Sequence, residues 1–200
     1  DYYASRGLGD VYKRQEQYPV RKIEKPIDWC VTVPGSKSMT NRALLMAALS
    51  DGTVTLDGVL FSDDSRHFIS SLTALGFDVL VEEEKRRVTV KGESGTIPKK
   101  EAEIDVGSAG TAARFLTAML GMSDGCYVIQ ASGQMKKRPM KDLFVLLEHT
   151  GAEITYLEQE GFLPVKINGQ RKDQKLTVRL DISRSTQFLS AMLLLSLIHI

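Results

Sequence analysis

Three stretches of this chain carry one pattern: Gly35-Ser-Lys-Ser-Met-Thr-Asn-Arg-Ala-Leu-Leu, Gly107-Ser-Ala-Gly-Thr-Ala-Ala-Arg-Phe-Leu and Ser183-Arg-Ser-Thr-Gln-Phe-Leu. Ser38, Gly110 and Ser185 correspond, at intervals of 72 and 75 residues. The stretches between them match too: Leu72-Thr-Ala-Leu-Gly-Phe-Asp-Val answers to Leu147-Glu-His-Thr-Gly-Ala-Glu-Ile, which puts Gly76 and Gly151 in register. A chain that repeats itself at a fixed period folds as copies of one supersecondary unit, each burying its apolar face against the next. Few constraints on a fold are stronger.

The first copy shows what the unit contains. After Ser36, the apolar positions Leu44, Leu45, Ala48 and Leu49 form a helical stripe. Asp51-Gly52 is expected to end that helix, because glycine accepts the left-handed conformation at a C-terminus. Residues 53–56 read as a strand. Asp63 and Asp64 are expected to cap a second helix over 65–75, which stops at Gly76. Residues 79–81 and 88–90 read as a hairpin around 83–86, and a strand over 30–33 leads into the unit. In the second copy, 127–130 is the middle strand, 143–149 the second helix, and 154–157 with 163–167 the hairpin. Such β-α-β-α-β-β units imply an α/β fold with sheets packed on helices. The third copy is cut short in its first helix. Residues 1–15 have neither helical nor strand periodicity. They are expected to form a separate N-terminal segment, and 16–200 the repeat-bearing domain. The last five residues are left out of that expectation.

Composition narrows the function classes. Lys and Arg number 26 against 25 Asp and Glu, a formal charge of +1. So even a balance gives no bulk attraction to nucleic acid or a membrane surface. An anion site must come from cations placed locally. Cys30 and Cys126 are too few for a disulfide framework and lack metal-ligand spacing, and His67, His149 and His199 do not cluster. A reducing cytoplasm fits this usage. No apolar run reaches the ~18 residues of a membrane span.

The chemistry is expected at the three helix starts. A helix N-terminus presents unpaired N–H groups and partial positive charge, which suits anions. Lys37 adds a point charge to the first, and Arg42, one turn after Ser38, offers a fork for a carboxylate. Ser36 or Ser38 could equally be a plain cap beside a solvated Arg42. Gly107-Ser-Ala-Gly-Thr, followed by Arg114, is either a second anion-binding start or a structural turn. Ser185, Thr186 and Gln187 offer hydroxyls and an amide at the third, where a plain cap is the alternative. The loop Gln134-Met-Lys-Lys-Arg-Pro, with Arg138, is either a cationic contribution or solvated surface. A P-loop fits poorly because Ser36, not glycine, precedes Lys37 and no glycine stands five positions earlier, and a dinucleotide site fails because Gly107-Ser-Ala-Gly-Thr lacks Gly-x-Gly-x-x-Gly.

Together these stretches resemble the 5-enolpyruvylshikimate-3-phosphate synthase family. The resemblance rests on Pro34-Gly-Ser-Lys-Ser-x-Thr-Asn-Arg-Ala-Leu, Ser62-Asp-Asp-Ser-Arg, Gly107-Ser-Ala-Gly-Thr-Ala-x-Arg, Met135-Lys-x-Arg-Pro-Met and Ser185-Thr-Gln-Phe-Leu, in the family's order over about residues 20–195. It implies an enolpyruvyl transferase lobe built from repeated βαβαββ units, an inside-out α/β barrel truncated in its third unit. Transfer of the enolpyruvyl group from phosphoenolpyruvate to the 5-hydroxyl of shikimate 3-phosphate would follow, with no cofactor, in a monomeric cytoplasmic enzyme. For shikimate 3-phosphate it implies Lys37, Ser38, Arg42, Ser185, Thr186 and Gln187. Ser38 and Arg42 would hold the carboxylate, Ser185 and Thr186 the phosphate. For phosphoenolpyruvate it implies Lys37, Ser108, Gly110, Thr111, Arg114, Arg138 and Gln187. Lys37 would lie between the two substrates as the catalytic residue. Ser108 and Thr186 stand where the family usually has Asn and often Ser, both hydrogen-bonding types. The family's general acid–base carboxylates lie in its other lobe, so this stretch alone is expected to turn over little. The sister family acting on UDP-N-acetylglucosamine is disfavoured because residues 131–138 lack its reactive cysteine. A non-catalytic binding lobe is the remaining alternative.

Overall fold

A computed structural model describes residue 22, residues 28–170 and residues 186–198. It divides the chain into two units, Asp1–Val33 and Pro34–Ile200. In the first, the strand expected over 30–33 does not form, and Val31 and Val33 are exposed. Alternation alone does not hold a strand that has no pairing neighbour and no buried face.

The second unit begins with α1, Lys37–Leu49, whose cap Ser36 accepts a hydrogen bond from the Met39 amide at 3.4 Å. The expected stripe Leu44, Leu45, Ala48 and Leu49 is buried. Gly52 does not end the helix. The chain turns at Ser50, in extended conformation, and Gly52 lies inside β1, Asp51–Asp57. The last carbonyls of α1 find other donors: Ser50 Oγ donates to Ala47 at 2.8 Å, and the Gly95 amide donates to Leu49 at 2.9 Å. No left-handed cap is needed once those acceptors are satisfied.

Helix α2, Asp63–Ala74, is capped by Ser62 rather than by Asp63 or Asp64. Ser62 and Ser65 form a reciprocal capping box, and the two aspartates occupy the first turn, where the helix dipole favours them. The chain leaves α2 through Gly76 at φ +92°. The hairpin follows as β2, Val79–Glu82, a short 3-10 turn, and β3, Arg87–Glu93. These strands form an antiparallel sheet in the order β1-β3-β2, with Val88 and Val90 of the central strand fully buried.

The next segment runs β4 (Glu101–Asp105), α3 (Gly110–Gly121), β5 (Gly125–Gln130), α4 (Lys141–Thr150), β6 (Glu153–Tyr156) and β7 (Val165–Gly169). Its sheet has the order β4-β5-β7-β6, with β4 parallel to β5 and the other pairs antiparallel. The antiparallel part, β5-β7-β6, has the same connectivity as β1-β3-β2. Helix α5, Thr186–Ile198, packs on α3. Every residue of α3 except Arg114 is buried, and α3 contacts α1, α2, α4 and α5 as well as β5 and β7. A helix apolar on all sides belongs at the centre of its domain. The fold is α/β with α3 as its axis, and the one α3 side chain that reaches out of the core is a cation. Among the described residues, no helix is long and apolar enough to cross a membrane.

Candidate functional site at three helix starts

The start of α1 presents Lys37 and Ser38 exposed and Arg42 half-buried. Lys37 Nζ lies 3.5 Å from Asp64 Oδ2, with side-chain exposures of 50% and 17%. A pair this open contributes little stability, so Lys37 is easily redirected to a ligand. Arg42 is not a solvated side chain. Its Nη1 donates to the Ser38 carbonyl at 3.1 Å, and its guanidinium stands 5.4 Å from the centroid of the Phe115 ring on α3.

The start of α3 is built by a tight turn from β4. Gly107 has φ +52°, its amide donates to Asp105 Oδ1 at 2.8 Å, and a Cβ there would run into the His67 ring. His67 Nδ1 in turn lies 3.1 Å from the Asp105 carbonyl. The N-cap, Ala109, supplies no side-chain acceptor to the first turn. Two guanidiniums converge there instead. A Cβ on Gly110 would sit 2.7 Å from Arg138 Nη1 and 2.8 Å from Arg114 Nη1. Arg114 Nη1 donates to the Gly110 carbonyl at 2.9 Å, while its buried Nε has no partner. Burial, and then the charge of Arg138, push the Arg114 guanidinium below the usual arginine value. Among the described residues, neither Arg114 nor Arg138 has a carboxylate partner. Two neighbouring cations beside a helix start with no side-chain cap suit an anion.

The start of α5 joins the same assembly. Gln187 Nε2 donates to Thr111 Oγ1 at 3.5 Å, and the Phe188 ring lies 5.3 Å from the Arg114 guanidinium. Thr186 is exposed beside it, and Ser185 lies outside the described residues. Gly110, Thr111, Arg114, Arg138 and Gln187 thus meet at one place, and Arg42 is tied to it through Phe115. Lys37 and Ser38 stand on the α1 side, where Lys37 meets Asp64 rather than the arginines. Ser108 is exposed and lines a cavity of about 340 Å³ with Asp63, Arg66, His67 and Ser70.

Sequence reasoning did not assign Asp64, Phe115 or Phe188 to this site. Asp64 carried a signal in the Ser62-Asp-Asp stretch, but it reads first as a cap. The phenylalanines read as core, which they also are.

The family model described as EPSP synthase (3-phosphoshikimate 1-carboxyvinyltransferase) matches residues 21–199. The chain belongs to the EPSP synthase family. A 3-phosphoshikimate 1-carboxyvinyltransferase from Trichormus variabilis is 40% identical over 174 residues, covering 87% of this chain and 41% of the relative. One from Sulfurovum sp. is 43% identical over 179 residues, covering 88% of this chain and 40% of the relative. The solved EPSP synthase from Acinetobacter baumannii superposes with a TM-score of 0.74 at 26% identity, over 82% of this chain and 37% of that one. The chain therefore spans about two fifths of the length of the EPSP synthases it matches.

Proposed function

We propose that this chain is part of an enzyme that transfers the enolpyruvyl group of phosphoenolpyruvate to the 5-hydroxyl of shikimate 3-phosphate, releasing phosphate. The supporting observation is the pair of guanidiniums beside Gly110, those of Arg114 and Arg138, without carboxylate partners among the described residues at the start of α3. Phosphoenolpyruvate carries a carboxylate and a phosphate on three carbons, and such a ligand suits two cations held a few ångströms apart.

In this reading Arg138, Gly110, Thr111, Ser108 and Gln187 surround phosphoenolpyruvate, with Arg114 supporting them from the core. Ser38 and Arg42 take the shikimate carboxylate, and Ser185, Thr186 and Gln187 its 3-phosphate. Lys37 swings from Asp64 to the space between the substrates. The 5-hydroxyl oxygen gives up its proton and bonds to C2 of phosphoenolpyruvate while C3 gains a proton. The C2–O bond to phosphate then breaks and C3 loses a proton, which restores the double bond. The residues of this chain bind and orient; they bring two anions together and offset their repulsion. The domain is read as residues 16–200, a lobe of repeated βαβαββ units whose third copy is incomplete in this stretch. The protein is read as a cytoplasmic monomer.

The test is a chimera. Residues 21–199 replace the matching stretch of the Trichormus variabilis relative, and phosphate release is measured with both substrates. Activity that depends on both supports the proposal. A folded chimera that releases phosphate from neither, beside an active parent, would sink it.

A further inference from the structure

Arg42 and Arg114 are held by the same device. Each donates Nη1 to the carbonyl four residues back, Ser38 at 3.1 Å and Gly110 at 2.9 Å. Each lays its guanidinium over a phenylalanine supplied by the next helix of the series: Phe115 of α3 at 5.4 Å, and Phe188 of α5 at 5.3 Å. Both rings are buried, at 0% and 2% exposure, so neither can follow a moving side chain. We propose that Phe115 and Phe188 are positioning residues, which fix the planes of Arg42 and Arg114 and leave the terminal N–H groups that those carbonyls do not take free for an anionic ligand.

The physical point is which part of the guanidinium is used. Its donors all lie in the plane, and its faces attract the negative face of an aromatic ring. A carboxylate partner would orient an arginine by occupying the fork. A ring orients it by covering a face, and the fork stays open. Arg66 shows the contrast. Its guanidinium lies 5.6 Å from the Phe61 centroid, yet Glu83 accepts from both of its terminal nitrogens. Arg66 is stacked and occupied, whereas Arg42 and Arg114 are stacked and have no carboxylate partner among the described residues. The device also links the helix starts, because α3 supplies one arginine and the ring beneath the preceding one.

The identity of the ligands rests on the function proposed above, but the ring geometry does not, so the test has two arms. In the 200-residue chain labelled with nitrogen-15 arginine, Arg→Lys variants assign the Nε–H resonances of Arg42 and Arg114. Ring currents should displace both upfield. Phe115→Leu should return only that of Arg42 to the ordinary range, and Phe188→Leu only that of Arg114, while Phe115→Tyr and Phe188→Tyr should preserve the displacement. In the chimera, Phe115→Leu should raise KM for shikimate 3-phosphate about two- to fivefold, and Phe188→Leu that for phosphoenolpyruvate by a similar factor. The tyrosine variants should restore both values. Undisplaced resonances in the unmodified chain overturn the proposal, and so do unchanged KM values in an active chimera. If each leucine variant raises both KM values alike, the rings are merely structural and the proposal also fails. An inactive chimera with the expected resonances counts against the proposed reaction and supports the ring geometry.

Discussion

Lys37 and Arg42 stand in the first two turns of α1 with the same charge, yet their surroundings differ. Lys37 is half-exposed in a loose pair with Asp64, while Arg42 is fixed by a carbonyl and a ring. If Arg42 forks onto a carboxylate, Arg42→Lys keeps the charge and loses the bidentate geometry. Losing one charge-assisted hydrogen bond costs about 1.5–3 kcal/mol, so affinity for shikimate 3-phosphate should fall roughly ten- to a hundredfold. Calorimetric titration of the chimera, with circular dichroism as folding control, checks this; unchanged affinity in a folded variant would remove Arg42 from the site. Gly110→Ala tests the arginine pair. The new methyl would meet Arg138 and Arg114 at 2.7 and 2.8 Å, but both contacts are the far ends of flexible side chains. The guanidiniums should shift while the helix tolerates alanine, which it favours by about 0.5–1 kcal/mol. KM for phosphoenolpyruvate is expected to rise on the order of tenfold, more than that for shikimate 3-phosphate, with no loss of melting temperature. The helix starts drew attention to these cations and hydroxyls, and Gly110, Thr111, Arg114, Arg138 and Gln187 do come together, but a role for each came only from the family resemblance. Phe115 and Phe188 were not legible in the sequence, since stacking under an arginine leaves no trace that distinguishes it from ordinary core.

At the scale of elements, periodicity served wherever one face is buried. Helices α1, α2 and α4 and both hairpins lie within a few residues of their sequence-derived limits, because Leu44, Leu72 and Leu147 are core anchors at helical spacing. The boundaries went astray where side chains and tertiary contacts decide them. Gly52 looked like a helix terminus, but Ser50 and the loop after β3 had already satisfied the carbonyls of α1. Asp63 and Asp64 looked like caps, but Ser62 and Ser65 form the reciprocal box, each hydroxyl accepting from the other's backbone amide, and the aspartates fall in the first turn. The box predicts an order of effects. Ser62→Ala removes an acceptor 3.4 Å from the Ser65 amide and should cost about 1 kcal/mol. Ser65→Ala should cost more, about 1–3 kcal/mol, because the fully buried hydroxyl also donates to the Leu60 carbonyl at 2.6 Å. Urea denaturation of the two variants checks the order; a larger loss for Ser62→Ala would mean that the less buried half of the box dominates.

At the scale of the whole unit, sheets packed on helices were anticipated, but not which helix stands at the centre. Helix α3 holds that place, touching α1 and α2, which pack on the first sheet, and α4, α5, β5 and β7. Its central position was hard to read because small residues such as Ala112, Ala113 and Ala118 make it less apolar in sequence than α5. Small size is what lets so many neighbours approach. If α3 joins the sheets into one cooperative body, the amides of Val90 in β3 and Ile129 in β5 should exchange only through the same global opening. Leu116→Ala then gives a direct test. Leu116 is fully buried on α3, and its truncation leaves a cavity worth about 2–5 kcal/mol. In a cooperative unit that loss appears equally at both amides, although they lie in different sheets. In a unit whose sheets open separately, Ile129 would lose protection and Val90 would keep it. Native-state hydrogen exchange of the 200-residue chain and its Leu116→Ala variant distinguishes the two, and equal loss is expected.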